Sequence, residues 1–587
     1  MPQHPLDLRI FEWFDHHGWA YWIIGYCAVA LWLAAALAPL ATIATAGAQP
    51  APDRRPWALR LLGAPPLFLA ATLLVFCAFR WPTWFAGRME NPDEAQWVAA
   101  ALTFADGGLP WKHVDCTTSG PLNPYLLTLG RLFGLPLDYL GVRIFTTLVQ
   151  AVSALILWRA ARRLVPEWAA RLALLPAVNL WACRWFHDMV QYSSEQAPVL
   201  LLALAGWAGA VALTTDRRPL RTWLFAAAGF CTTASLFAKP QTLPVAAALG
   251  LLQLVAVVLG PPGAAPTRAA RWRHGTALVG GALAPLALFA GYLWIYGLFA
   301  QVHVFTWQGN LLYAGARTYP LSASPESFFE LLHPMRGSTA AVLGVLAFAL
   351  LTAWPATAAP RSNWRSMAGA WLLTLAALAT IASPGRIFRH YLHFLVLPLG
   401  WLAATNLTGA ASSANNRQRH LAPIALLFVL FTSAWPLWQT WGSVPAMNGQ
   451  LYFWRQRQVS PAGAALRALA RPGDRLVVWG WAPHLHLESA LPQGAREAHY
   501  ERAIIAGPLQ SHHRDRLLFD LKRNQPRWFV DAVAPGQFGF RERQRFGHET
   551  WSPLRDYIAA NYEQVDEIDR IRIYRRRDSA GAALGGD

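Results

Sequence analysis

The sequence predicts an α-helical polytopic membrane protein, with about twelve transmembrane helices and a small extracytoplasmic α/β domain at its C-terminus. Three observations lead there. Of 587 residues, 55% are hydrophobic and only 14% charged, against about 25% charged in soluble domains. That excludes an ordinary soluble enzyme. Apolar runs of roughly 20 residues, the length that crosses a bilayer, recur along the chain. From about residue 445 the composition turns charge-rich. The net charge is +18, and only Lys112, Lys239 and Lys522 of the basic residues are lysines. In a soluble protein this balance would suggest nucleic acid. Here the arginines lie between apolar runs, so membrane topology explains them.

The runs fall near 19–45, 60–81, 142–163, 170–186, 197–214, 223–238, 242–260, 275–299, 338–359, 366–383, 389–408 and 421–442. The proline and glycine in several of them are tolerated where neighbouring helices satisfy the backbone. The first run is longer than a signal-peptide apolar region and lacks a positive flank, so it is expected to be a retained span. Alternate loops carry the arginines, among them Arg54, Arg55, Arg159, Arg162, Arg163, Arg171, Arg217, Arg218, Arg268, Arg271 and Arg361. Positive loops face the cytoplasm, which places the loops 82–141 and 300–337 and the C-terminal tail outside.

The tail reads as a separate fold. RLVVWG (475–480) and RWFVDAV (527–533) have the apolar density of buried strands, residues 511–523 form a helical pattern before the second, and 562–576 read as a terminal hairpin. The last ten residues are expected to be disordered. Cys27, Cys77 and Cys231 sit in apolar runs as small hydrophobes. Cys116 and Cys183 fall on the outer side and could pair.

Transporters place charges within their spans. These spans hold almost none, and the polar groups collect at the outer rim. The richest stretch is the loop 82–141, with helical patterns near 93–106 and 121–133. In its NPDEA segment, Asn91, Pro92 and Glu94 make a good helix start, with Glu94 reaching back to the cap. That leaves Asp93 to act as a base. Further along the rim lie His187, Asp188 and Glu195 in RWFHDMVQYSSEQ, Lys239 in AKPQ, and Arg386, Arg389 and His390 in SPGRIFRHYL. Each cation alone also reads as an interfacial snorkelling residue. A cluster of them could hold a phosphate by charge-assisted hydrogen bonds.

The ordered set NPDEA, GGLPWKHVD, TSGPLNPY, QYSSE, AKPQ and HYL, followed by an outer α/β tail, resembles the GT-C class of membrane glycosyltransferases. Within that class it is similar to the family of protein O-mannosyltransferases and the lipid A aminoarabinose transferase. The resemblance spans roughly residues 60–410. It implies an inverting hexosyl- or pentosyltransferase that takes a sugar from a polyprenyl-phosphate carrier and passes it to a glycolipid, polysaccharide or protein acceptor. The reaction would lie on the outer face of a bacterial plasma membrane. On that reading Asp93 is the base and Glu94 its partner, while Lys239, Arg386, Arg389 and His390 hold the donor phosphate. Lys112, His113, Asp115, Ser119, Asp188, Tyr192, Glu195 and Tyr391 line the acceptor or sugar side. Many members carry Lys-Pro-Pro in the first loop; here Ser119-Gly120-Pro121 stands there, which moves the phosphate role to Lys239.

The implied division is an N-terminal extension with an additional helix (1–59), a GT-C-like catalytic domain (60–442) with its outer loop 82–141, an extracytoplasmic α/β domain (443–577) and a tail (578–587). No histidine or cysteine spacing suits zinc. Two or three carboxylates could hold Mg²⁺ or Mn²⁺, although metal-independent transfer is expected. Interfacial belts explain most tryptophans, with Trp97, Trp111 and Trp307 as candidates for stacking on a sugar ring. A flippase of lipid-linked saccharides, or a non-catalytic glycan-assembly protein, is the alternative reading.

Overall fold

The computed structural model describes residues 13, 17–44, 56–84, 92–116, 118–182, 189, 191–260, 265–315, 364–385, 388–412 and 459–578. The expected spans at 338–359 and 421–442, and the tail 579–587, lie outside the described residues. The chain divides into two compact units. One comprises Met1–Thr83, Thr146–Tyr292 and Leu312–Phe453; the other comprises Trp84–Phe145, Leu293–Leu311 and Trp454–Asp587.

The first unit is helical. Among the described residues of the chain, five helices are long and apolar enough to cross a membrane: Tyr139–Ala161, Gln196–Thr214, Pro240–Leu259, Arg268–Tyr296 and Arg365–Ala382. Three other expected runs carry the helices Gly18–Ala44, Arg218–Ala238 and His393–Ser412. The run at 60–81 is bent by 62° between Trp57–Gly63 and Pro65–Trp81. Ala64 at the bend is extended, with φ −66° and ψ 130°, as the ring of a following proline requires.

The run at 170–186 departs from its expected single helix. It folds as Glu167–Leu172, Leu175–Ala177 and a π-turn at Val178–Ala182. Pro176 removes a backbone donor there. Arg171, which the sequence groups with the loop arginines, is fully buried. Its guanidinium donates to Glu167 at 2.8 Å and to the carbonyls of Ala35 and Gly63 at 2.5 and 2.7 Å. It thereby satisfies the Ala35 carbonyl, which Pro39 four residues on cannot bond, and the Gly63 carbonyl at a helix end.

Trp32, Phe68 and Trp158 anchor the apolar core of this unit, and the Trp32 indole donates to Thr72 at 3.1 Å. Small residues let other helices approach closely. A Cβ at Gly281 would collide with the Ala226 carbonyl, and one at Gly229 with that of Leu278. Nearby, Thr232 donates to Gln253, which donates to the Ala205 carbonyl, both at 3.3 Å. Interhelical polar bonds of this kind hold helices together where apolar burial gives no net drive.

The second unit contains a four-stranded sheet ordered β1-β2-β4-β3. β1 (Leu476–Trp479) and β2 (Trp528–Asp531) pair in parallel; β4 (Ile571–Arg576) runs antiparallel to both β2 and β3 (Tyr562–Ile568). Every residue of β1 and β2 is buried, because both sheet faces are covered. Val477, Trp479 and Phe529 pack with Leu517 and Leu521 of the helix Gln510–Asn524 on one side. Leu476, Val478 and Val530 pack with Leu466 and Leu485 on the other. The hairpin turns through Asp569 and Arg570, at φ 50° and 64°, the two left-handed residues that a tight two-residue turn needs.

The outer-loop helices, Pro92–Ala105 and Leu122–Thr128 continued by Leu129–Phe133, belong to this same unit. Their attachment to the C-terminal fold is polar and specific. The Asp115 amide donates to the Arg496 carbonyl at 2.7 Å, and the Gln493 amide donates to Thr103 Oγ1 at 3.0 Å.

Candidate active site

The candidate residues fall into two clusters, one in each unit. In the sheet-containing unit, Asp93 is half-buried in the first turn of the Pro92–Ala105 helix, and Glu94 beside it is fully buried. The capping residue expected at Asn91 lies outside the described residues. The Glu94 carboxylate is gripped by Arg143, itself 1% exposed: Nε reaches the two oxygens at 3.1 and 3.2 Å, and an Nη reaches one at 2.6 Å. The Arg143 guanidinium also lies 4.9 Å from the centre of the Tyr139 ring. The capping motif gave Glu94 no partner beyond its own first turn, and Arg143 is that additional partner. A bidentate pair this deeply buried fixes orientation more than it adds stability. It locks the helix start from which Asp93 projects.

Of the other first-loop candidates, Asp115 ties the loop to the C-terminal fold. The Asp115 carboxylate pairs with Arg516, which also binds Glu497 at 2.6 Å and lies 3.4 Å from the centre of the Phe305 ring. His513 meets Glu497 at 2.8 Å, and Arg496 meets Asp520 at 3.2 Å. Burial alone would raise the Glu497 carboxyl, but His513 and Arg516 hold it far below the usual carboxylate range. Lys112 Nζ sits 5.0 Å from the Tyr296 ring centre. The His113 ring accepts the Leu109 amide at 2.9 Å, and burial together with Lys112 lowers its basicity. Ser119 is buried, its amide donating to the Cys116 carbonyl at 3.1 Å. The Cys116 thiol is free and buried; Cys183 lies outside the described residues. Trp97 and Trp111 are each 4% exposed, too enclosed for a sugar to stack on them. Trp307 is exposed.

The second cluster lies in the helical unit. Lys239 ends the Arg218–Ala238 helix in an extended conformation, φ −155° and ψ 114°, again because a proline follows. That turn directs its Nζ to Ser194 Oγ at 2.8 Å and into an ion pair with Glu195. His390 Nε2 lies 3.9 Å from the same Glu195 oxygen, and the Tyr391 ring centre lies 5.0 Å from Nζ. Tyr192, Glu195, His390 and Tyr391 are all buried, while Arg389 is half-buried. Arg386 and Asp188 lie outside the described residues. This cluster thus joins Glu195, Lys239, His390 and Tyr391, drawn from widely separated positions, around one buried ammonium.

Two of the candidate carboxylates are already paired with a cation. Glu94 is engaged by Arg143, and Glu195 by Lys239. Among the described residues one group of three, Asp531, His548 and Glu549, brings ligand atoms within 4.8 Å of one another. There Asp531 already accepts the amides of Val533 and His548 at 3.0 Å and the His548 ring at 2.6 Å, and Glu549 pairs with Arg572. These bonds close the corner by themselves.

Sequence reasoning overlooked Arg143, Arg516 and Glu497. The last comes from REAHYER (496–502), whose dense charge in an otherwise apolar neighbourhood was a usable signal.

No protein-family model matches the chain, and no curated protein matches its sequence. Solved structures do. ArnT of Cupriavidus metallidurans bound to undecaprenyl phosphate superposes with a TM-score of 0.53 at 16% identity, over 88% of this chain and 98% of that one. The same protein in its apo state gives 0.49 at 17% identity, over 86% and 98%. The apo oligosaccharyltransferase of Archaeoglobus fulgidus gives 0.43 at 12% identity, over 82% and 70%. The first of these likenesses assigns the chain its fold, that of the ArnT structure.

Proposed function

We propose that the chain is an inverting GT-C glycosyltransferase that moves a sugar from a polyprenyl-phosphate carrier to an acceptor at the outer face of a bacterial plasma membrane. The observation that carries this reading is Asp93, held at a helix start by the buried Glu94–Arg143 pair, on a fold shared with a protein solved with undecaprenyl phosphate. The helical unit also has an apolar cavity of ≈ 200 Å³, lined by Leu157, Val199, Leu202, Phe394, Leu397 and Trp401 among others. Its chemistry suits a prenyl chain.

In the transfer step, an acceptor hydroxyl oxygen bonds to the anomeric carbon. The bond from that carbon to the carrier phosphate breaks, and its electron pair leaves with the phosphate. Asp93 takes the hydroxyl proton. An alcohol is a weak nucleophile, and a positioned base contributes roughly 10²–10⁴ in rate. Lys239 and His390, with Arg386 and Arg389, oppose the charge that grows on the phosphate. Glu195 and Tyr391 keep the Lys239 ammonium in place. Lys112, His113, Asp115, Ser119, Asp188 and Tyr192 belong to the acceptor or sugar side of this reading. The C-terminal domain lies on the outer side.

The test is a strain expressing Asp93→Asn in place of the natural chain, with surface glycans and polyprenyl-linked sugars followed by mass spectrometry. We expect normal protein levels, product reduced about 10²-fold or more, and accumulated lipid-linked donor. Undiminished product at normal expression would remove Asp93 as base. A flippase would leave the donor on the inner leaflet and unchanged in amount.

A further inference from the structure

The outer loop carries a run of exposed apolar side chains at its tip. In the helix Leu122–Thr128 and its continuation Leu129–Phe133, Asn123, Pro124 and Leu127 are buried. Leu129 is exposed, and Leu132 and Phe133 are 80% and 72% exposed. Arg131, between them, is exposed as well. The exposed large apolar residues of the C-terminal fold, such as Leu469, Ile505, Phe519 and Phe538, occur singly, which is ordinary for a surface in water. Neighbouring exposed apolar residues mark a surface that something other than water covers.

What covers the tip follows from where it is fixed. Gly134 ends the short helix at φ 75°, its amide donating to the Arg131 carbonyl at 3.0 Å and that of Leu135 to the Gly130 carbonyl at 3.2 Å. The chain then turns directly into the membrane-crossing helix Tyr139–Ala161. Asp138 caps that helix by accepting the Gly141 amide at 2.9 Å, and a Cβ at Gly141 would collide with the Pro136 carbonyl. Gly130 packs on the spanning helix itself, since a Cβ there would stand 3.4 Å from the Phe145 ring. About 20 residues cross a bilayer; taken from the arginine-flanked end at Ala161, they reach back to Val142. Phe145 lies about one turn inside that boundary, and Gly130, against its ring, shares that depth.

We propose that the loop tip Leu129–Gly134 is a lipid anchor whose Leu129, Leu132 and Phe133 enter the acyl boundary of the adjacent leaflet. The Arg131 guanidinium stays at the level of the lipid phosphates, where charge-assisted hydrogen bonds hold it. The tip is tied to the rest of the loop. Tyr125, one turn before Leu129, stacks on Phe104 with ring centres 4.4 Å apart, and Phe104 belongs to the Pro92–Ala105 helix. The anchor thereby fixes the height of that helix above the bilayer, whether or not Asp93 is the base.

The test is photocrosslinking of the full chain in its native membranes, with Phe133→p-benzoylphenylalanine and mass spectrometry of the labelled peptide. We expect phospholipid adducts at position 133, as at Leu288→p-benzoylphenylalanine, an exposed site on the membrane-crossing helix Arg268–Tyr296. The same probe at Phe519, exposed on the helix Gln510–Asn524, should give none. Leu132→Asp, added to the probe at 133, should abolish the lipid adducts, because a carboxylate is costly in the acyl region. Leu132 and Phe133 are exposed, so neither change disturbs the fold. Adducts only to polypeptide, from this chain, a second copy or another protein, would mean that protein covers the tip and would overturn the anchor. So would the absence of adducts at 133 while position 288 reports lipid, equal lipid adducts at 519, or lipid adducts undiminished by Leu132→Asp.

Discussion

At the scale of single residues, the best-defined element of the site is a buried ion pair. Arg143 and Glu94 are 1% and 0% exposed, so neither can fall back on water when the other is removed. Arg143→Ala should destabilise the protein by about 3–5 kcal/mol, seen as a lower melting temperature in detergent. The double variant Arg143→Met with Glu94→Leu should recover most of that loss, since two apolar groups leave no stranded charge. Recovery of stability without recovery of transfer would separate the pair's orienting role from its contribution to folding. If both single and double variants melt like the natural chain, the pair has no such role. The residue scale is also where the sequence was least informative. Asp93 and Glu94 were legible from NPDEA. Arg143 was not, because it lies in an apolar run 49 residues away, and only folding places it on Glu94.

At the scale of elements, legibility followed periodicity. Strands 475–480 and 527–533, the helix before the second strand and the terminal hairpin carry patterns that local physics enforces, and all four are present. The break at 170–186 was hidden because hydropathy counts Arg171 as a loop cation, whereas its carbonyl partners at Ala35 and Gly63 come from distant parts of the chain. Attachment of the outer loop to the C-terminal fold was equally hidden, since its ionic contacts join residues about 400 apart. Helix caps show their effect on pH dependence. Ser460 caps the helix Pro461–Leu469, its hydroxyl accepting the Gly463 amide at 3.1 Å and donating to Glu488. Burial raises the Glu488 carboxyl to about 7, above its unfolded value of 4.5. Its favourable contribution is therefore complete below about pH 4.5 and lost as pH rises through 7. Melting curves of the full chain at about pH 5 and about pH 8 should differ less in Glu488→Gln than in the natural protein. An unchanged difference would mean that other groups set it.

At the scale of the whole molecule, the alternation of arginine-rich loops predicts that the C-terminal domain lies outside. Ser552 is exposed at the start of the helix Ser552–Asn561, and the described cysteines Cys27, Cys77, Cys116 and Cys231 offer a background to subtract. A membrane-impermeant maleimide applied to intact spheroplasts should label Ser552→Cys as strongly as it does after lysis. Labelling only after lysis would invert the topology.

The second unit is assembled from three stretches of chain, Trp84–Phe145, Leu293–Leu311 and Trp454–Asp587, and this imposes an order on biosynthesis. The outer loop emerges early, yet the guanidinium that neutralises Asp115 belongs to Arg516 and is translated some 400 residues later. Until then the loop waits with a carboxylate destined for burial still in water, and long-range contacts of this kind close slowly. A chain truncated before Arg516 would keep every candidate residue of the helical unit and the NPDEA segment, but would lack the guanidinium that pairs with Asp115. On the reading of Asp93 as the base, the outer loop that carries it gains its Asp115 ion pair with the C-terminal fold only after the ribosome has passed Arg516.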